Sequence, residues 1–161
     1  YNFYTVTNQG ELPMKTAIVY YSKHHGNTKQ LVDTLAEAFD GIDLIDAAVA
    51  ADADLNSYER VGFASGIYYS KFHKSVLHLA ETCLPAGKRV FFLYTCGTKK
   101  QGYTDAIAQI TRLKNAEILG EYGCLGFDTF GPFRLVGGIS KGHPTPEDLA
   151  GAVQFCQSIF Q

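Results

Sequence analysis

The stretch TAIVYYSKHHGNTKQLV, residues 16–32, decides how this chain is read. Its first six residues are β-branched, aromatic or small, and none is charged. A run of this kind bounded by polar residues reads as a strand buried on both faces. Beyond it, Leu31, Val32, Leu35, Ala36 and Phe39 recur at the spacing of one helix face. Strand and helix are joined by Ser22-Lys23-His24-His25-Gly26-Asn27-Thr28. Small and hydroxyl residues around a glycine that opens a helix leave backbone N–H groups exposed. With the positive end of the helix dipole, those groups form an anion site suited to phosphate. The chain contains neither G-x-x-x-x-G-K-S/T nor G-x-G-x-x-G, so this is neither a Walker loop nor the dinucleotide fingerprint. A plain Gly-Asn turn is the simpler alternative, but the position after the first strand favours phosphate.

Outward from this unit the same alternation repeats. Residues 43–46 (DLID) read as a second strand and residues 61–64 as a third, followed by a helix through Val76, Leu77, Ala80 and Cys83. Residues 89–95 (RVFFLYT) form a fourth strand, with a helix through Ala106, Ile107, Ile110 and Leu113. Residues 117–124 form a fifth strand, weakened by Gly120 and Gly123. The last helix has the clearest start: Thr145 as cap, Pro146 at the first position, then Glu147 and Asp148 near the positive dipole end. Leu149, Ala152, Val153, Cys156, Ile159 and Phe160 supply its apolar stripe. Near-continuous apolar strands separated by helices predict an α/β sandwich with a doubly wound parallel sheet. Ligands of such sheets bind beyond the carboxyl ends of the strands. A glycine-rich connection, residues 125–143, precedes the last helix and is long for a loop without chemistry.

Composition bounds the function. At 161 residues the chain has the length of one domain, expected over residues 14–161. Residues 1–13 precede the only methionine, Met14, and are read as a leader or N-terminal arm outside the fold. The 46% apolar and 19% charged fractions are those of a globular chain. A net charge of −2 excludes a whole-chain basic field for nucleic acid. The longest apolar runs, such as Val90-Phe91-Phe92-Leu93-Tyr94, are too short for a membrane span. Charge is uneven: residues 30–59 carry eight acids and no base, whereas residues 60–114 carry nine bases and only Glu81 and Asp105. Cys83, Cys96, Cys124 and Cys156 form no C-x-x-C pair and are expected as reduced thiols of a cytoplasmic protein. The histidines show no zinc spacing, so no metal is expected. Cys83 to Arg89 matches C-x5-R, but a helix precedes it and a strand follows, the reverse of a phosphatase loop.

Three segments after successive strands carry a resemblance. Tyr20-Tyr21-Ser22 followed by Gly26-Asn27-Thr28 resembles the phosphate loop of the flavodoxin family, with a His-His pair where threonine or serine is usual. Residues 57–69, with Ser65, Gly66, Ile67, Tyr68 and Tyr69, look like the family's loop along the isoalloxazine ring. Residues 95–103, with Thr95, Cys96, Gly97, Thr98 and Tyr103, match the loop at the ring's polar edge. The resemblance implies a flavodoxin-like fold with five parallel strands in the order 2-1-3-4-5, for which flavodoxins themselves are a type case. It also implies FMN as cofactor, with the first loop, residues 22–28, on the phosphate and the other two flanking the flavin. There Gly66 could present its carbonyl to the reduced ring, and Tyr68 or Tyr69 could stack on it. Cys96 reads either as a redox thiol or as a small buried strand-end residue.

The function so implied is an electron carrier between a reductase and an acceptor, with no catalytic side chain of its own. Lys71, Lys74, Lys99 and Lys100 lie in or after these loops, so the redox partners are expected to be acidic. Residues 64–75 are also similar to the corresponding loop of flavodoxin-type protoporphyrinogen oxidases. An FMN-dependent oxidoreductase acting on a porphyrinogen or quinone is therefore one alternative, and a flavin-free binding module on the same fold is another.

Overall fold

The first strand, β1 (Thr16–Tyr21), is buried along its whole length. Ala17, Val19 and Tyr21 face one side of the sheet, while Ile18 and Tyr20 face the other, as the two-residue period of a strand requires. The computed structural model describes residues 14–161, so the leader or arm expected over residues 1–13 lies outside the described residues. The further strands are β2 (Ile42–Asp46), β3 (Arg60–Tyr68), β4 (Lys71–Phe72), β5 (Arg89–Cys96) and β6 (Glu117–Leu125). They lie in the order β2-β1-β3-β5-β6, every neighbouring pair parallel. This is the expected 2-1-3-4-5 order once β4, which pairs only with β3, is set aside.

Helices α1 (Asn27–Ala38) and α4 (Pro146–Ile159) pack Leu31, Val32, Leu35, Ala152, Val153 and Cys156 against Ile18, Phe91 and Leu93. On the opposite face α2 (Lys74–Cys83) and α3 (Asp105–Leu113) pack Val76, Leu79, Ala80 and Ile107 against Val19, Phe63 and Phe92. Each fully buried phenylalanine in these layers stabilises the fold by about 1.5–3 kcal/mol. The α4 start is the expected one: the Thr145 side chain accepts from the Asp148 amide at 3.1 Å, and the Asp148 carboxylate accepts from the Thr145 amide at 2.8 Å. Leu113 departs from expectation. It is 79% exposed, because the buried stripe of α3 runs through Ile107, Ala108 and Thr111.

Two further departures shape the site. The third strand was expected over residues 61–64, yet β3 continues to Tyr68: β5 pairs beside it as far as Gly66, with Ser65 opposite Tyr94 and Gly66 opposite Thr95, and β4 then pairs with Ile67 and Tyr68. Ser65, Gly66, Ile67 and Tyr68 are therefore strand residues, not loop residues. The chain then reverses through a two-residue hairpin, Tyr69-Ser70, into β4. Both turn residues have left-handed backbone, φ 51° and 65°, the signs of a type I′ turn, which normally takes Asn-Gly. Each costs about 1–2 kcal/mol in that conformation.

The second departure is the connection between β6 and α4. It forms a strap that closes on itself. The Phe127 amide donates to the His143 carbonyl at 3.1 Å, and Asp128 and Ile139 exchange amide bonds of 3.0 and 2.8 Å. A 3₁₀ turn, Gly131–Val136, forms its tip. The strap is tied to the end of β5 by the Gly126 amide on the Cys96 carbonyl at 2.9 Å and the Ser140 hydroxyl on the Gly97 carbonyl at 2.8 Å.

Candidate functional site

At the carboxyl end of β1 the chain enters the loop through Ser22, whose hydroxyl accepts from the Lys29 amide at 3.0 Å and so folds the loop back over the first turn of α1. His25 and Gly26 are both left-handed, φ 56° and 66°. Gly26 occupies the N-cap position of α1 and offers no side chain, so the only side-chain acceptor in that first turn, among the described residues, is Ser22, on the Lys29 amide. Among the described residues, the amides of His24, His25, Gly26, Asn27 and Thr28 reach no backbone acceptor. A run of such donors at a helix N-terminus is an anion-binding concavity.

Three other elements meet this loop. The Thr28 and Thr95 hydroxyls, both buried, lie 2.9 Å apart and join the first loop to the end of β5. The Asn27 side chain donates to the Phe127 carbonyl at 2.8 Å and joins the loop to the strap. His25 extends the same seam: its Nε2 is 2.9 Å from the Thr129 hydroxyl, and its ring lies over Phe127 at 4.3 Å. Gly97 lets the strap approach, since a Cβ there would lie 2.5 Å from the Asp128 carboxylate and 2.9 Å from Ile139.

Between these elements opens a cleft of about 550 Å³, part of it open to solvent. It is lined by Ser22, Lys23, His24, Asn27 and Thr28 from the first loop and by Gly66, Ile67 and Tyr68 from β3. Thr95, Cys96 and Gly97 from the end of β5, and Gly126, Phe127, Asp128 and Phe130 from the strap, complete it. Eleven of the expected site residues thus meet here, and the other six sit apart from the cleft wall. Gly26 is the N-cap of α1 and does not line the cleft. His25 is committed to Thr129. Ser65 is wholly buried, accepting from the His73 amide at 2.9 Å and donating to the Gly66 carbonyl at 2.6 Å. Tyr69 points out, 85% exposed, with its ring against Phe130. Thr98 and Tyr103 line an adjoining hollow with Lys100 and Phe133, and the Tyr103 hydroxyl donates to the Thr98 carbonyl at 2.7 Å.

The chain's place among known proteins follows this geometry. The sequence profile of the flavodoxin domain matches residues 18–119, which include the first loop, β3 and the end of β5. The chain belongs to the flavodoxin family. An uncharacterised protein of Methanocaldococcus jannaschii is 33% identical over 150 residues, 92% of this chain and 99% of its own length. Among solved structures, a flavodoxin from the domain Archaea superposes with a TM-score of 0.60 at 16% identity, over 91% of this chain and 99% of its own. A Fusobacterium nucleatum flavodoxin variant bound to flavin mononucleotide gives 0.63 at 16% identity, over 91% and 95%. At that identity both likenesses concern the fold.

In this chain the cleft wall beneath Tyr68 is aromatic. The Tyr68 ring meets Tyr21 edge-on at 5.7 Å and His73 at 5.0 Å, while His73 stacks flat on Tyr21 at 3.5 Å. His73 also caps α2, its Nδ1 accepting from the Ser75 amide at 3.2 Å. Burial, then Lys74 and Lys23, hold its pKa below the ordinary value. Burial, then Tyr21 and Asp128, push the Tyr68 hydroxyl up to about 12. Burial pushes the Cys96 thiol up to about 11, so at neutral pH it is a small apolar strand-end residue rather than a reactive thiolate. Sequence reasoning missed Gly126, Phe127, Asp128 and Phe130 as lining residues. The signal for them was the unusual length of the glycine-rich connection, which carries three phenylalanines at its centre.

Proposed function

We propose that this protein binds FMN in the cleft and carries electrons between a reductase and an acceptor protein. The observation that carries the reading is the run of amides from His24 to Thr28 at the N-terminus of α1, which have no backbone acceptor among the described residues and would hold a phosphate. Lys23, Asn27 and Thr28 stand beside it, and Ser22, already engaged by the Lys29 amide, fixes the loop's shape. Gly66, Ile67 and Tyr68 on one side and Thr95, Cys96 and Gly97 on the other would flank the ring system. The donor set suits the group: backbone N–H groups for a dianion, and a mostly apolar wall for a flat aromatic ring. Bound FMN would supply one- and two-electron transfer. The protein's part is to orient it, to exclude water from one face and to set the local charge. That work needs no catalytic side chain, and we assign none.

The reductase and acceptor would present acidic surfaces, because the connections at the cleft carry lysines. The four free thiols suit a reducing compartment, and we place the protein in the cytoplasm. The test is a titration of the apo chain with FMN, and with riboflavin as the phosphate-free comparison, followed by fluorescence quenching. FMN should bind one per chain and at least about 100-fold more tightly than riboflavin, since two charge-assisted hydrogen bonds are worth about 3 kcal/mol or more together. Equal affinity for the two would remove the phosphate site from the account. Rapid reduction by a flavodoxin reductase without turnover of a porphyrinogen or quinone supports the carrier, and sustained turnover of either supports the enzyme.

A further inference from the structure

We infer that the strap between β6 and α4 is the docking face for a redox partner whose surface is acidic around an apolar centre. The inference rests on the carrier reading above and adds the element that makes the contact. Large apolar side chains are exposed at few places among the described residues, and four of them belong to the strap and the turn that meets it: Phe130, which lines the cleft, Leu135 and Val136 in the 3₁₀ turn, and Tyr69. Leu135 is 89% exposed and Val136 73%. The 3₁₀ turn that carries them buries none of its residues, so these side chains add nothing to the core. Tyr69 reaches across from the β3–β4 turn and meets the edge of Phe130 at 5.9 Å.

Around this centre runs a collar of cations. Lys23 follows β1, Lys71 and Lys74 follow β3, Lys99 and Lys100 follow β5, and Arg134 and Lys141 belong to the strap. All are exposed. Among the described residues none is ion-paired, the pairs being Lys29–Asp33, Arg89–Glu117 and His143–Asp148. Within the connections themselves the only acid is Asp128, which faces the cleft and accepts from the Phe130 amide at 2.8 Å. Asp105, Glu147 and Asp148 stand in the first turns of the helices that follow, and Asp148 is taken up by His143. An apolar centre with aromatic side chains, ringed by charge of one sign, is the anatomy of a protein interface, and the sign selects an acidic partner. A second copy of this chain could offer the acids of residues 30–59, but the only large apolar side chain that stretch exposes is Val49. The match is therefore to a different protein.

The experiment titrates the full chain, loaded with FMN, with an acidic plant-type ferredoxin, using basic cytochrome c as the control. Ferredoxin should bind, with affinity falling about tenfold or more between low and physiological salt, and cytochrome c should not. Lys99→Glu with Lys141→Glu should slow association about tenfold. Leu135→Ser with Val136→Ser should speed dissociation about fivefold without changing the salt dependence. Preference for cytochrome c, binding to phosphatidylserine vesicles in place of ferredoxin, self-association lost in the same variants, or no effect of the Leu135 and Val136 changes would each overturn the inference. Flavin content is read separately from the visible spectrum. A colourless chain that still binds ferredoxin in this pattern refutes the FMN reading and upholds the docking face.

Discussion

Replacing Ser70 with glycine should make the protein more stable, against the usual direction of that change. Ser70 has φ 65° in the hairpin between β3 and β4, where a side chain costs about 1–2 kcal/mol. Glycine removes that cost but loses about 0.5–1 kcal/mol of chain entropy on folding. The net expectation is a gain of about 0.5–1 kcal/mol. For a domain of this size that is a rise of roughly 1–4 °C in Tm. The side chain is exposed, so little packing is lost. The matched control is Ser57→Gly, another exposed turn serine but one with ordinary negative φ, which should lose stability. Both variants are compared with the parent by urea and thermal melts followed by circular dichroism. If Ser70→Gly melts at or below the parent while its spectrum is unchanged, the backbone of that turn is not strained, and the explanation for the missing hairpin signal fails with it.

Thr28→Val keeps the shape of the side chain but leaves the buried Thr95 hydroxyl without its partner at 2.9 Å; a loss of about 1–3 kcal/mol in a urea melt is expected, with weaker FMN binding in a titration. Gly97→Ala drives a methyl group into Asp128 and Ile139, so the strap must lift; FMN affinity should fall and proteolysis within residues 126–145 should quicken, both readable on one sample. Asp148 fixes the pH dependence. Burial alone would raise its carboxyl, but the Thr145 amide, with the His143 and Thr145 side chains, outweighs that and holds the pKa below the ordinary value. A carboxyl depressed on folding adds stability that is present above its unfolded value, about pH 4, and is lost as pH falls through the folded one. Urea midpoints should therefore drop on acidification below about pH 4, and Asp148→Asn should flatten that drop.

Much of the fold was legible because its signals are local. The uncharged run of β1 and the Thr145-Pro146-Glu147-Asp148 start of α4 each determine their own structure within a few residues. The anion loop was legible for the same reason: Gly26 and the amides after it lie on one continuous stretch. What escaped reading was set by partners distant in the chain. β3 extends past Ala64 because β1 and β5 pair with Ser65, β5 with Gly66, and β4 with Ile67 and Tyr68, and no pattern within residues 61–68 records that. β4 has two residues and a turn that lacks the usual Asn-Gly, so neither periodicity nor turn chemistry marks it. The strap's place over the cleft depends on Asn27 reaching Phe127, a hundred residues away. Leu113 fits a helical period, yet whether that face of α3 meets the core is decided by the sheet beneath it.

The separation of charge has a mechanical consequence. Acids crowd α1, β2 and the connection after it, and seven of the fourteen bases lie where β1, β3, β5 and β6 end, with Asp128 the one acid in those connections, while the sum is only −2. Such a body drifts little toward a charged object but is turned by it. A partner bearing negative potential would exert a torque that swings the basic end forward before contact. The rotational part of the search would thus be largely complete at first collision, and for the carrier proposed above, which would release its partner after each exchange, arriving already oriented would matter more than binding tightly.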